Sequence, residues 1–200
     1  MPAMSDKELY GVISLIFSAV AYAPYIWSLL RRQIKPHLFS WIVWSLISLI
    51  AYLAQAQGAA GPGAWAVGFS TVCCVFVALC SIKLGERHVT RSDWVCFIGA
   101  LLAIPLWRLA GDPLLALLMV LVIDSFAYAM TYRKSWRSPY SENVVVYLVD
   151  TVKYVFAIMA NDHYSLTTML FPLYIILVEG GLAALILYRR REVKAAAAAA

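Results

Sequence analysis

Charge is what this chain has least of. Only 14% of its 200 residues are charged, against about 25% in soluble domains, while hydrophobic residues reach 63%. That balance excludes a soluble globular domain and places the chain in a bilayer. Cysteine is scarce as well: Cys73, Cys74, Cys80 and Cys96 all sit in apolar runs with no CxxC pair. They read as small packing residues, and neither a disulfide framework nor a zinc site is expected. His37, His88 and His163 fall in separate connections, so no shared metal site is expected either. Signatures of phosphate loops, dinucleotide folds, zinc proteases and α/β-hydrolases are missing, which argues against an enzyme and against a cofactor. The last apolar run has no lysine before its C-terminal end, which excludes a retinal Schiff base.

What is there is a series of oily stretches. A membrane-crossing helix needs about 20 mostly apolar residues, and seven stretches qualify: 9–30, 37–57, 62–82, 92–110, 113–132, 143–160 and 164–188. Gly61-Pro62-Gly63, Gly111-Asp112-Pro113 and Ser138-Pro139 mark joints between them, with Asp112 expected to cap a helix that opens on Pro113. The acidic-flanked SDKELY leads into a run long enough to span, so no cleaved signal peptide is expected. The closing AAAAAA reads as low-complexity tail.

Basic residues are sorted by connection. Arg31, Arg32 and Lys35, then Lys83, Arg87 and Arg91, then Arg133, Lys134 and Arg137, then Arg189, Arg190, Arg191 and Lys194 occupy alternate connections, thirteen of the sixteen. The positive-inside rule then puts the N-terminus outside and the C-terminus in the cytoplasm of a cell membrane. The net charge of +5 is accounted for in this way and calls for no nucleic acid. Arg108, near the end of the fourth span, is expected to snorkel outward.

Sliding the chain against itself by 106 residues aligns spans one to three with five to seven. Ala21-Tyr22-Ala23 meets Ala127-Tyr128-Ala129, Ser45 meets Thr151, Ala54 meets Ala160 and Lys83 meets Arg189. The expected architecture is an all-α membrane protein of seven transmembrane helices: a three-helix repeat (1–90), a linker helix (91–111), a second, parallel three-helix repeat (112–191) and a disordered tail (192–200).

Polar and aromatic residues form stripes on these spans. Trp41, Trp44, Ser45, Ser48 and Tyr52 share one face of span two; shifted by 106 they become Tyr147, Asp150, Thr151, Tyr154 and Ile158. Ser14, Ser18, Tyr22 and Tyr25 become Val120, Asp124, Tyr128 and Thr131. In lipid such faces turn toward protein or water. The serines and threonines read first as hydrogen-bonding glue between helices. Trp41, Trp44, Tyr128, Tyr147, Asp150 and Tyr154 are the candidate solute-binding residues. Asp124, Asp150 and Glu179 are expected roughly 12–15 Å deep, with Lys153 a turn away. A charge near the bilayer centre costs about 2.5–3.5 kcal/mol on the lenient scale. These four are therefore the candidate charge network or proton-coupling group, with Asp150 and Lys153 expected to engage Glu179 or Asp124. Three carboxyls against one ammonium leave at least one expected to hold a proton. Pro24 and Pro172 are candidate hinges, and Gly180-Gly181 beside Glu179 permits close helix approach.

The stretch YAPYIWSLLRRQIKPHLFSW (22–41) resembles the signature loop of PQ-loop and SWEET-type transporters. Pro24 matches the signature proline, Arg31 and Arg32 the basic pair, and Ser40 the serine that opens the next helix; Tyr25 stands where that family has glutamine. The chain also resembles small uncharacterised bacterial membrane proteins through KPHLFSWIVW and GPGAW. The resemblance implies a three-one-three layout and transport. The expected function is a carrier for a small polar or zwitterionic solute, with proton coupling as a further expectation and a site between the repeats at the membrane midplane. The alternative is a non-transporting scaffold or sensor whose buried charges are structural. The bilayer and a small-molecule solute are the expected partners, and a homo-oligomer is an open alternative to a single chain.

Overall fold

The computed structural model describes residues 4–85, 91–140 and 142–199. Among them are seven α-helices: α1 (Asp6–Leu30), α2 (Leu38–Gln57), α3 (Trp65–Leu84), α4 (Arg91–Ala110), α5 (Pro113–Arg137), α6 (Val144–Met159) and α7 (Leu166–Ala199). A 3-10 turn over Gly61–Ala64 leads into α3. Among the described residues, five segments are long and apolar enough to cross a membrane: Asp6–Leu30, Leu38–Gln57, Gly61–Leu84, Pro113–Arg137 and Leu166–Ala196. The chain is thus an all-α protein with the build of a membrane protein. α6 has only 16 residues, about 24 Å at 1.5 Å per residue, which is short of the roughly 30 Å hydrocarbon layer. Arg87 and His88 lie outside the described residues, as do the side chains of Cys96, Arg108, Met130 and Lys134.

Local chemistry sets the helix ends. Ser5 and Glu8 form a capping box on α1, Ser5 N–H donating to Glu8 Oε2 at 2.8 Å and Glu8 N–H to Ser5 Oγ at 3.3 Å. Asp112 Oδ1 accepts from Leu114 N–H at 2.8 Å, so α5 opens on Pro113 as its sequence requires. Asn143 accepts from Val145 N–H at 3.1 Å and caps α6. α2 departs from expectation: His37, not Ser40, is the cap, its ring accepting from Ser40 N–H at 3.4 Å while Ser40 Oγ lies 2.9 Å from Nδ1.

Two boundaries are corrected. α5 runs on to Arg137 instead of stopping near 132, because no breaker intervenes before Ser138-Pro139. The added turn packs on α7, where Arg189 lies over the Trp136 ring at 4.7 Å and donates to the Trp136 carbonyl at 3.2 Å. α7 likewise continues through Ala199, so residues 192–199 are helix, not disordered tail. Alanine has the highest helix propensity, and Glu192 ties back to Arg189 and Tyr188 on the preceding turn.

α3 packs on α1 and α2, and α7 packs on α5 and α6; α1 also lies against α6, α2 against α5, and α4 against α2 and α5. Val43, Ile47, Ile50, Val67, Leu117, Val120, Ala157 and Phe171 meet in the main core. Large apolar side chains such as Ile16, Val72, Leu79, Phe126 and Leu177 point outward, as a lipid-facing surface demands.

One end of the bundle is tightly locked. The Asp162 N–H donates to the Ala60 carbonyl at 3.0 Å. Lys7 Nζ donates to the Asp162 carbonyl at 3.1 Å and lies 3.7 Å from its carboxylate. Gly61 takes φ +60°, and a Cβ there would strike the Asp162 carboxylate; a Cβ on Gly63 would strike the Asn161 side chain. Farther in, Phe17 stacks on Phe156 at 5.9 Å.

Candidate functional site

A cavity of about 650 Å³ lies between the helices, within the size range of small-molecule sites. α1 and α2 bring Tyr22, Tyr25, Trp41, Trp44, Ile47 and Ser48; α3 brings Ser70 and Cys74. α5 brings Asp124, Ala127, Tyr128 and Thr131; α6 brings Val146, Tyr147, Asp150, Lys153 and Tyr154; α7 brings Phe171, Ile175 and Glu179. It reaches Glu142 and the exposed Asn143 at the start of α6. Among the described residues, none of the lining comes from the locked connections at the opposite end.

The aromatic wall is built from helical spacing. Trp41 and Trp44 sit three residues apart on α2, their rings edge to face at 5.2 Å. Tyr25 tilts against Trp41 at 4.9 Å and accepts a hydrogen bond from its indole N–H at 3.2 Å. Trp41 is thereby held at 7% exposure, whereas Trp44 stays 42% exposed. Tyr22 meets Cys74 Sγ at 3.3 Å.

The charged wall is paired in pieces. Lys153 is 1% exposed and donates to Asp150 Oδ2 at 2.8 Å, one helical turn away. Its ammonium also lies 4.4 Å from the centre of the Tyr154 ring. Glu179 is bound by a different partner: Tyr128 donates to its Oε1 at 2.5 Å. Asp124 is buried beside Tyr174, whose hydroxyl accepts from Ser125 at 3.2 Å and interacts with the Asp124 carboxyl. The expected engagement of Asp150 and Lys153 with Glu179 is electrostatic, Glu179 lying within range of both, and is not a second direct ion pair among the described residues. Among the described residues, Asp150 is the one acid near enough to Lys153 for an ion pair, and a tyrosine supports each remaining acid.

All six candidate solute-binding residues line this one cavity, as do Asp124, Lys153 and Glu179. Other expectations fall elsewhere. Tyr52 turns into the core, against Gly68. Ser14 and Ser18 are buried, and their hydroxyls return to carbonyls of their own helix at 2.9 and 3.0 Å. Ser45, Thr131 and Thr151 do the same, so these hydroxyls are satisfied within a helix and do not glue one helix to another; Ser48 also bonds within α2 but additionally meets Cys74 of α3. Pro24 is exposed on α1 and Pro172 is fully buried in α7; neither lines the cavity. Gly181 admits the Tyr132 hydroxyl, which donates to the Val178 carbonyl at 2.8 Å.

Several lining residues escaped the sequence reading. Phe171 and Ile175 lie eight and four residues before the expected Glu179 on α7, and Ser70 and Cys74 are likewise four apart on α3. That spacing marks a shared face, but the apolar or small side chains between the charges gave it no polarity to stand out. No family model matches the chain, and no curated protein or solved structure does either.

Proposed function

We propose that this protein is a membrane carrier for a small polar solute, the zwitterionic class included, and that the cavity between its two halves is the solute site. One observation carries the reading. A cavity with charged and aromatic walls runs from mid-helix toward one end of the bundle and is shut off from the other by interlocked connections. That is the form of a binding site accessible from one side at a time. Asp124 and Glu179, beside Tyr174 and Tyr128, are the groups proposed to exchange protons, with the Asp150–Lys153 pair, Tyr147 and Tyr154 facing them.

The two-repeat plan is part of the same proposal. It is supported by helix starts: Leu38 of α2 and Val144 of α6 are 106 residues apart, the offset that aligns the two halves of the sequence. Helix neighbours support it as well, since α1 against α6 corresponds to α5 against α2, and α3 on α1 and α2 to α7 on α5 and α6. With α4 as linker this is the three-one-three layout of PQ-loop and SWEET-type proteins, to which the signature stretch 22–41 points. The sorting of basic residues onto the connections at the cavity mouth supports a cytoplasmic mouth and an outward locked end.

Uptake into sealed proteoliposomes across a small-metabolite panel tests the function. Saturable uptake absent from protein-free liposomes is the expected result. Folded, reconstituted protein that moves nothing in the panel would favour the scaffold or sensor alternative.

A further inference from the structure

The cavity's polar groups are unevenly spent, and that imbalance describes the solute. We infer that the site takes a protonated organic amine: a monocation carrying N–H donors, seated against Glu179 with aromatic rings around its charge. The inference rests on the carrier reading above and narrows it.

Glu179 is 8% exposed and lines the cavity. Its Oε1 accepts from Tyr128, while Oε2 has no hydrogen-bond partner among the described residues. Asp150 repeats the pattern, with Oδ2 on Lys153 and Oδ1 unpartnered. A buried carboxylate oxygen left without a donor is costly. Two such oxygens on one cavity are acceptors awaiting N–H or O–H groups.

Three of the cavity's hydroxyls are already committed as donors, while the buried Ser70 hydroxyl has no partner among the described residues. Ser48 and Thr131 donate to carbonyls of their own helices, and Tyr147 donates to Glu142. A polyol, which must accept as well as donate, finds those three occupied and, among the described serines and threonines of the lining, only Ser70 uncommitted. A zwitterion needs a cation for its carboxylate, and the one ammonium on the wall among the described residues is bound by Asp150 and covered by Tyr154. An anion would face Asp124 and Glu179 without compensation. A protonated amine meets the opposite conditions, because it donates to both unpartnered oxygens and its charge suits rings such as Tyr128 and Trp44.

Isothermal titration of purified protein at neutral pH tests this with matched probes. They are butylamine and phenethylamine, their neutral counterparts butan-1-ol and 2-phenylethanol, and the zwitterion phenylalanine. At least one amine should bind about tenfold or more tighter than its alcohol and than phenylalanine, the margin set by a desolvated charge contact. Glu179→Gln should reduce that amine to the level of its alcohol while leaving the melting profile in place. Should that variant not fold, Asp124→Asn carries the same expectation at a smaller factor. Alcohol or amino acid binding as tightly as the amine, amine binding indifferent to both substitutions, or no amine binding at all would overturn the inference. Uptake of another solute class alongside any of these leaves the carrier reading standing; absence of all uptake removes both.

Discussion

From α1–α3 the cavity receives the rings of Tyr22, Tyr25, Trp41 and Trp44 and the neutral side chains of Ser48, Ser70 and Cys74. From α5–α7 it receives Asp124, Asp150, Lys153 and Glu179, with tyrosines between them. Under the proposed 106-residue correspondence, Ser18, Trp44, Ile47 and Cys73 occupy the positions that became acids and lysine in the second half. The difference shows how each wall is held. Rings can be fixed by packing on one another, as Tyr25, Trp41 and Trp44 are. Charges cannot, and each on the opposite wall has a named partner: Asp150 for Lys153, Tyr128 for Glu179, Tyr174 for Asp124.

Breaking the charged wall should have the largest effect. Lys153 is 1% exposed and Asp150 is 21% exposed on its side chain, so the partner left behind matters. Asp150→Asn strands a fully buried ammonium and should cost about 3–5 kcal/mol of stability. Lys153→Met leaves a carboxylate on the less buried side chain of the pair, and should cost less. The double variant should lie closer to the parent than Asp150→Asn does, a ranking that thermal unfolding in detergent can read. Equal losses for both single variants would contradict it.

The aromatic wall should divide by burial. Trp41→Ala removes a ring at 7% exposure together with its bond to Tyr25, a loss of roughly 3 kcal/mol. Trp44→Ala removes a ring that already stands open to the cavity. It should shift stability by under about 1 kcal/mol while weakening solute binding. The same melting assay, paired with binding, separates the two tryptophans.

Smaller effects follow where the halves meet. A Cβ on Gly63 would press on Asn161 and lie 2.8 Å from the Ala157 carbonyl, so Gly63→Ala should cost about 1–3 kcal/mol. It should also raise thiol labelling of a cysteine placed at Gly58. Tyr22→Phe removes only the contact with Cys74 and should change stability by about 1 kcal/mol or less.

Much of this was legible beforehand, and for identifiable reasons. Trp41, Trp44, Tyr147, Asp150 and Tyr154 share helical faces by spacing, and spacing survives folding, so their appearance on one cavity needs no long-range information. Which acid meets which donor is another matter. Tyr128 and Glu179 are 51 residues apart, and nothing local distinguishes Tyr128 from Lys153 as the partner. His37 as a cap and the helical run through Ala199 were missed because local hydrogen bonds and alanine propensity outweighed the motif and the low-complexity reading. The lock at Gly61 and Gly63 was visible only as a turn signal; its contact with Asn161 and Asp162 joins connections a hundred residues apart.

The central claim is that the cavity alternates between the two membrane faces. Ser48 lines it at mid-depth, so Ser48→Cys, with the native cysteines replaced, reports access to the site. A membrane-impermeant thiol reagent applied to right-side-out and inside-out vesicles should modify that cysteine from both faces, faster from the side of Asn143. Modification from the Asn143 side alone under every condition, in protein that remains folded, would make the cavity a static pocket and contradict the carrier.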